Sequence, residues 1–178
     1  MKKVICILLL IVSMGTMYYF SSQDGEASSI QSNTVVNIVE EIRDRVTLEN
    51  ETLIKIKDEI KNALKGHSKN ILVRKAAHFA MYAIIGGFMM IVIYMLSRQV
   101  IFSACISFTL TLLYAVYDER RQLQILGREG SLTDVFIDSS GALLSILILS
   151  CIFLFGKGVK CIFKRFREAD DSLEKFEN

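Results

Sequence analysis

Four long apolar blocks, separated by strongly charged stretches, constrain this chain more than any other feature. Residues 4–20, 76–96, 100–117 and 135–155 are each close to the roughly 20 residues that an α-helix needs to cross a hydrocarbon core of about 30 Å. Backbone polar groups inside a bilayer must be satisfied internally, which leaves helices or a closed barrel. Barrel strands alternate apolar and polar residues, and these blocks do not. Proline is absent from the chain, so nothing forces a break within a block. The predicted fold is therefore all-α: a four-transmembrane-helix bundle, multi-pass, in the plasma membrane. The mean hydropathy of +0.39 agrees with that class.

Lys2 and Lys3 precede the first block, as in a secretory signal, but Tyr18-Tyr19-Phe20 stands where a small-x-small cleavage site belongs. A retained helix ending in an aromatic belt is expected. Arg98 lies in the turn 97–99, and Lys157, Lys160, Lys164, Arg165 and Arg167 follow the last block. Four spans bring these basic groups to one side, so both termini are expected in the cytoplasm, with 156–178 a basic and then acidic tail. The segment 21–75 and the loop 118–134 then face outward. Within 21–75, Val35, Ile38, Val39, Ile42 and Val46 follow Asn33 and Thr34 at helical spacing, and Leu53, Ile56, Ile60, Ala63 and Leu64 repeat the pattern before Gly66. Two amphipathic helices are expected there, covering the bundle or lying on the headgroups.

The net charge of +2 argues against a nucleic-acid partner, and no interleaving of aromatic and basic residues suggests one. Cys6, Cys105, Cys151 and Cys161 form no CxxC pair, so no metal site is implied. Gly156-Lys157-Gly158 lacks the spacing of a phosphate loop, and no cofactor is expected.

The polar residues with chemical potential gather where spans meet the outer side. Arg74, Lys75 and His78 open the second span; Asp118, Glu119, Arg121 and Gln122 close the third; Arg128, Asp134 and Asp138 open the fourth. His78, Tyr82 and Gly86 share one helical stripe, as do Tyr114, Asp118 and Gln122, and Asp134, Asp138 and Gly141. A convergent polar cup is expected. An acid at the middle of a span costs about 2.5–3.5 kcal/mol on insertion scales, so Asp138 should face a cation. Arg74 and Lys75 sit near a helix N-terminus, where the dipole disfavours cations, and opposition to Asp118, Glu119, Asp134 and Asp138 would offset that. Plainer roles exist. Ser131-Leu132-Thr133-Asp134 has capping-box spacing, Arg74 and Lys75 can snorkel, and Gly86, Gly87 and Gly141 can serve close helix packing.

At these residues the chain resembles the VanZ-like membrane proteins, a family named for a teicoplanin-resistance protein. Phe20-Ser21-Ser22-Gln23 is similar to the family's element at the outer end of the first span. Arg74-Lys75-Ala76-Ala77-His78-Phe79 with Tyr82 resembles R-K-x-x-H-F-x-x-Y. Tyr114 to Gly141 resembles D-E-x-x-Q…G-R-x-G-x-x-x-D-V…D…G. Members often carry histidine where this chain has Arg121, and aromatic-Val-Pro where it has Gln124-Ile125-Leu126. The resemblance implies an envelope protein, associated in some members with lipoglycopeptide resistance, with no settled biochemical activity. Gln23, Arg74, Lys75, His78, Gln122, Arg128, Asp134 and Asp138 are the candidate binding residues. Membrane lipids, a lipid-linked wall precursor or a lipoglycopeptide are the candidate partners. A non-enzymatic binding role is favoured. The alternative is an enzyme acting on an outer-leaflet lipid phosphate, with His78, Asp118 or Glu119 as proton carrier.

Overall fold

A computed structural model of the chain describes residues 2–47, 69–128 and 130–177. They form five helices: α1 (Lys2–Ser21), α2 (Gly25–Thr47), α3 (Lys69–Ser97), α4 (Val100–Gln122) and α5 (Leu132–Glu177). No strand occurs among the described residues. Four stretches are long and apolar enough to cross a membrane: Lys3–Ser21, Ile71–Ser97, Val100–Gln122 and Leu132–Gly158. The second half of the expected outer segment, 53–64, lies outside the described residues.

The helices outrun the apolar blocks at the polar end. α3 starts seven residues before Ala76, α4 continues past Tyr117 through Gln122, and α5 starts at Leu132. At 1.5 Å per residue, the 27 residues of Ile71–Ser97 cover about 40 Å, more than a hydrocarbon core requires. Arg74, Lys75, Asp118, Glu119, Gln122 and Asp134 therefore project from rigid helical turns and not from loops. At the other end, α5 runs on through Gly156 and Gly158 to Glu177, so the backbone of the expected tail is helical. α2 also differs from the reading above. It begins at Gly25, and its cap is Asp24, whose Oδ1 accepts the Ala27 N–H at 2.7 Å; Asn33 and Thr34 lie inside the helix.

α3 is the centre of the assembly, packing against α1, α2, α4 and α5. Leu10 and Met17 of α1, Tyr82 and Ile85 of α3 and Ala115 of α4 make one buried cluster; Met90, Val100 and Ile146 make a second. The pattern on α4 is inverted relative to a soluble helix. Ser103, Ser107, Thr111 and Ala115 are buried, whereas Ile101, Phe102, Leu110 and Leu113 are exposed. Lipid tails are as apolar as leucine, so burial is reserved for small residues that let backbones approach. Tyr114 ties α4 to α1, its hydroxyl donating to the Met14 carbonyl at 2.9 Å.

The closest approach joins α3 and α5. A Cβ on Gly141 would run into the Phe79 main-chain carbonyl, and one on Gly86 would lie 2.9 Å from Ala142 Cα. At one end of this pair the turn between α3 and α4 is fastened to α5. Arg98 adopts φ 58°, Lys157 Nζ donates to its carbonyl at 2.7 Å, and Tyr94 stacks on Phe153 with ring centroids 4.3 Å apart. At the other end the N-termini of α3 and α5 meet the C-termini of α1 and α4. That junction collects the polar residues.

Candidate functional site

Asp118 is the structural anchor of the junction. It is 1% exposed, and three donors reach its carboxylate. Ser21 Oγ donates to Oδ2 at 2.8 Å, Gln122 Nε2 to the same oxygen at 3.2 Å, and Arg121 to Oδ1 at 2.9 Å. Gln122 also donates to Ser21 Oγ at 3.0 Å. Arg121 continues outward to the Tyr18 carbonyl (3.1 Å) and the Ser22 hydroxyl, with its guanidinium 3.9 Å from the centre of the Tyr18 ring. The position at which this chain departs from the family pattern is thus the clamp between α1 and α4. The planar fork and its stacking on Tyr18 suit arginine and not lysine.

The loop between α4 and α5 folds back onto the α1–α2 turn. Gly25 N donates to the Leu126 carbonyl at 3.2 Å, and Gly127 takes φ 74° directly beneath Gly25, where a Cβ would collide with the Gly127 carbonyl. Glu119 is buried and spends one oxygen on the Ser131 N–H. Ser131 Oγ in turn accepts the Thr133 N–H at 3.2 Å. The capping box of α5 is therefore split between helices: Ser131 supplies the hydroxyl, and Glu119 of α4 takes the place expected of Asp134.

Asp134 is free for another role. It pairs with Lys75 at 2.6 Å, and one turn further in His78 Nδ1 faces Asp138 Oδ2 at 3.5 Å. Lys75 and His78 on α3, and Asp134 and Asp138 on α5, make a two-rung ladder between parallel helices. The ladder walls a cleft whose other lining residues are Arg74, Gln122 and Ile137.

Six of the ten sequence-predicted residues line this cleft: Arg74, Lys75, His78, Gln122, Asp134 and Asp138. The other four do not. Asp118 and Glu119 are consumed by helix anchoring, Gln23 lies in the α1–α2 turn, and Arg128 sits behind the cleft with one nitrogen donating to the Phe20 carbonyl at 3.1 Å. The expected pairing of Asp118 or Asp138 with Arg74, Lys75 or Arg128 is also corrected. Asp118 takes Arg121, about one turn on in the same helix, and Asp138 faces His78 across the contact between α3 and α5.

Several buried polar atoms have no hydrogen-bond partner, among them Asp138 Oδ1, the Tyr82 hydroxyl and two nitrogens of Arg128. Arg74 makes no hydrogen bond or ion pair among the described residues. Burial, and then the charge of Arg74, lower the pKa of the Arg128 guanidinium from its usual value. No group of three His, Cys, Asp or Glu able to hold a metal occurs among the described residues, and no Ser, Thr or Cys lines the cleft.

Four membrane-length helices closing on a polar cleft at one end define a small multi-pass membrane protein. The profile of the VanZ/LLP1 family matches residues 6–155, and the chain belongs to that family. No curated protein and no solved structure matches it significantly.

Proposed function

We propose that this protein is a non-enzymatic component of the cell envelope whose cleft binds the polar headgroup of a lipid on the outer face of the plasma membrane. The observation that carries the reading is Arg74, a guanidinium with no hydrogen bond or ion pair among the described residues, on the lining of a cleft at the end of the bundle. Guanidinium groups make short, charge-assisted hydrogen bonds to phosphate, often two at once. On this reading a contribution to teicoplanin-type resistance acts through the lipid or through a lipid-linked wall precursor.

The outer location follows from charge. Lys2, Lys3, Arg98 and Lys157 lie at the end opposite the cleft, the end that the positive-inside rule keeps in the cytoplasm. A membrane-impermeant thiol reagent applied to intact cells is expected to label Gln23→Cys and to leave Lys160→Cys unlabelled, both in a background without native cysteines. Labelling of position 160 alone would move the cleft to the cytoplasm.

One observation favours an enzyme: a carboxylate facing an imidazole, the pairing that orients a general base. Against it, no Ser, Thr or Cys lines the cleft, so the hydroxyl or thiol that such a base commonly activates is missing there. The two readings divide on a pair of variants, assayed by lipoglycopeptide susceptibility or by the envelope phenotype of a deletion. Glutamine at position 78 keeps size and some hydrogen bonding but carries no proton. A binding site should tolerate His78→Gln, losing about 0.5–1.5 kcal/mol for one hydrogen bond, and should fail with Arg74→Gln. Complete loss of function for His78→Gln at normal abundance would establish the enzyme instead.

A further inference from the structure

Arg74 and Asp138, both on the lining of the cleft, are opposite in sign, and we infer that the headgroup it takes is zwitterionic: a phosphate diester joined by a short link to a primary ammonium, the chemistry of phosphoethanolamine. The inference rests on the headgroup-binding reading and narrows it to a ligand class.

Charge accounting comes first. Lys75 and Asp134 neutralise each other at 2.6 Å, which leaves Arg74 and Asp138 as the remaining full charges of the lining. They form no ion pair with one another. A headgroup carrying only negative charge matches Arg74 but leaves the Asp138 carboxylate with nothing beyond the His78 imidazole. A headgroup with one charge of each sign matches both.

Hydrogen-bonding capacity adds a second, independent constraint. Asp138 is 1% exposed and lines the cleft, yet its Oδ1 has no partner. A buried carboxylate oxygen requires a donor, and leaving it without one costs free energy. A primary ammonium brings three N–H donors as well as the matching charge. A glycerol headgroup brings hydroxyl donors without the charge. A choline headgroup brings the charge without a donor. Of these three, only the ethanolamine type supplies both.

Spacing is compatible. Arg74 and His78 are four residues apart on α3, so they lie on one face about one helical pitch, 5.4 Å, apart. His78 in turn faces Asp138 at 3.5 Å. The phosphate-binding and ammonium-binding groups therefore project from neighbouring turns of one helix face, a placement that a short two-carbon link suits.

Short-chain phospholipids that differ only in headgroup test this on the full-length protein in mild detergent. Apparent affinities are read from the ligand dependence of the thermal midpoint. Dihexanoyl phosphatidylethanolamine should bind about tenfold or more tightly than the phosphatidylglycerol and phosphatidylcholine analogues, the difference a hydrogen bond to a charged group commonly makes. Arg74→Gln should weaken all three, because they share the phosphate. Variation of the ligand keeps Asp138 intact, so a folding defect cannot imitate the result. Phosphatidylglycerol or phosphatidylcholine binding as tightly as phosphatidylethanolamine would overturn the zwitterion while sparing the headgroup site. Failure of all three to bind would overturn the headgroup reading itself. Soluble phosphoethanolamine, added as competitor, separates the sources. Competition at similar concentration assigns the same chemistry to a soluble ligand, and no competition assigns it to a lipid.

Discussion

Asp118→Ala is expected to remove folded protein from the membrane, whatever the cleft binds. The substitution leaves Ser21, Gln122 and Arg121 without their shared acceptor in a site that is 1% exposed. Breaking a buried charge pair by deleting one partner costs about 3–5 kcal/mol, because the other charge stays buried and uncompensated. Whole domains are stable by only about 5–15 kcal/mol, so this loss is a large fraction of the total. Ser21→Ala removes one neutral donor from the same cluster and should cost about 0.5–1.5 kcal/mol. Arg120→Ala, on the exposed side of the same turn, should be near neutral. Immunoblot abundance and the thermal midpoint in detergent give the ranking. Wild-type abundance and melting for Asp118→Ala would show that Asp118 does not anchor α1 to α4.

Gly141→Val should have an effect of comparable size for a different reason. The contact is with main chain, since a Cβ at 141 runs into the Phe79 carbonyl. A flexible side chain could turn aside, but a helix backbone cannot. Overpacking a well-filled interior typically costs about 1–3 kcal/mol, and a β-branched residue against a backbone belongs at or above the upper end. Both rungs of the ladder depend on the same close approach, so the variant should lose headgroup binding along with stability. Gly156 is the control. It is in the same helix, has nothing within 4 Å of a Cβ, and on propensity alone Gly156→Ala should gain up to about 1 kcal/mol. A Gly141→Val protein that melts with the wild type would contradict the packing described for α3 and α5.

Much of this architecture is legible in the residues. Apolar blocks of membrane length mark the four candidate spans. The stripes His78–Tyr82, Tyr114–Asp118–Gln122 and Asp134–Asp138 follow from helical period alone. Partner choice was not legible. Whether Asp138 meets Arg74 or His78 depends on where α3 begins relative to α5, and that start lies seven residues before the apolar block, in a polar stretch without a hydropathy signal. The split capping box was hidden for a related reason. Ser131 and Asp134 have the local spacing, but Glu119 reaches the Ser131 N–H only because the α4–α5 loop folds back on itself. Asp24 as the α2 cap was missed because Asn33 and Thr34 stand directly before the apolar repeat, whereas the polar first turns of α2 follow Asp24 without any apolar repeat. Ser21 and Ser22 sat in plain view within Phe20-Ser21-Ser22-Gln23. Only the direction in which the α1 end turns shows that they meet Asp118 and Arg121, and that Gln23 does not.

Mass spectrometry of the lipids that copurify with the full-length protein tests the headgroup site most directly. Wild-type protein and Arg74→Gln, prepared in the same mild detergent at matched abundance, are compared with the lipid extract of the membranes they came from. The account predicts a phospholipid class enriched over the bulk extract with wild type and returned to bulk proportions with Arg74→Gln. Identical, unenriched lipid profiles for the two proteins would contradict it.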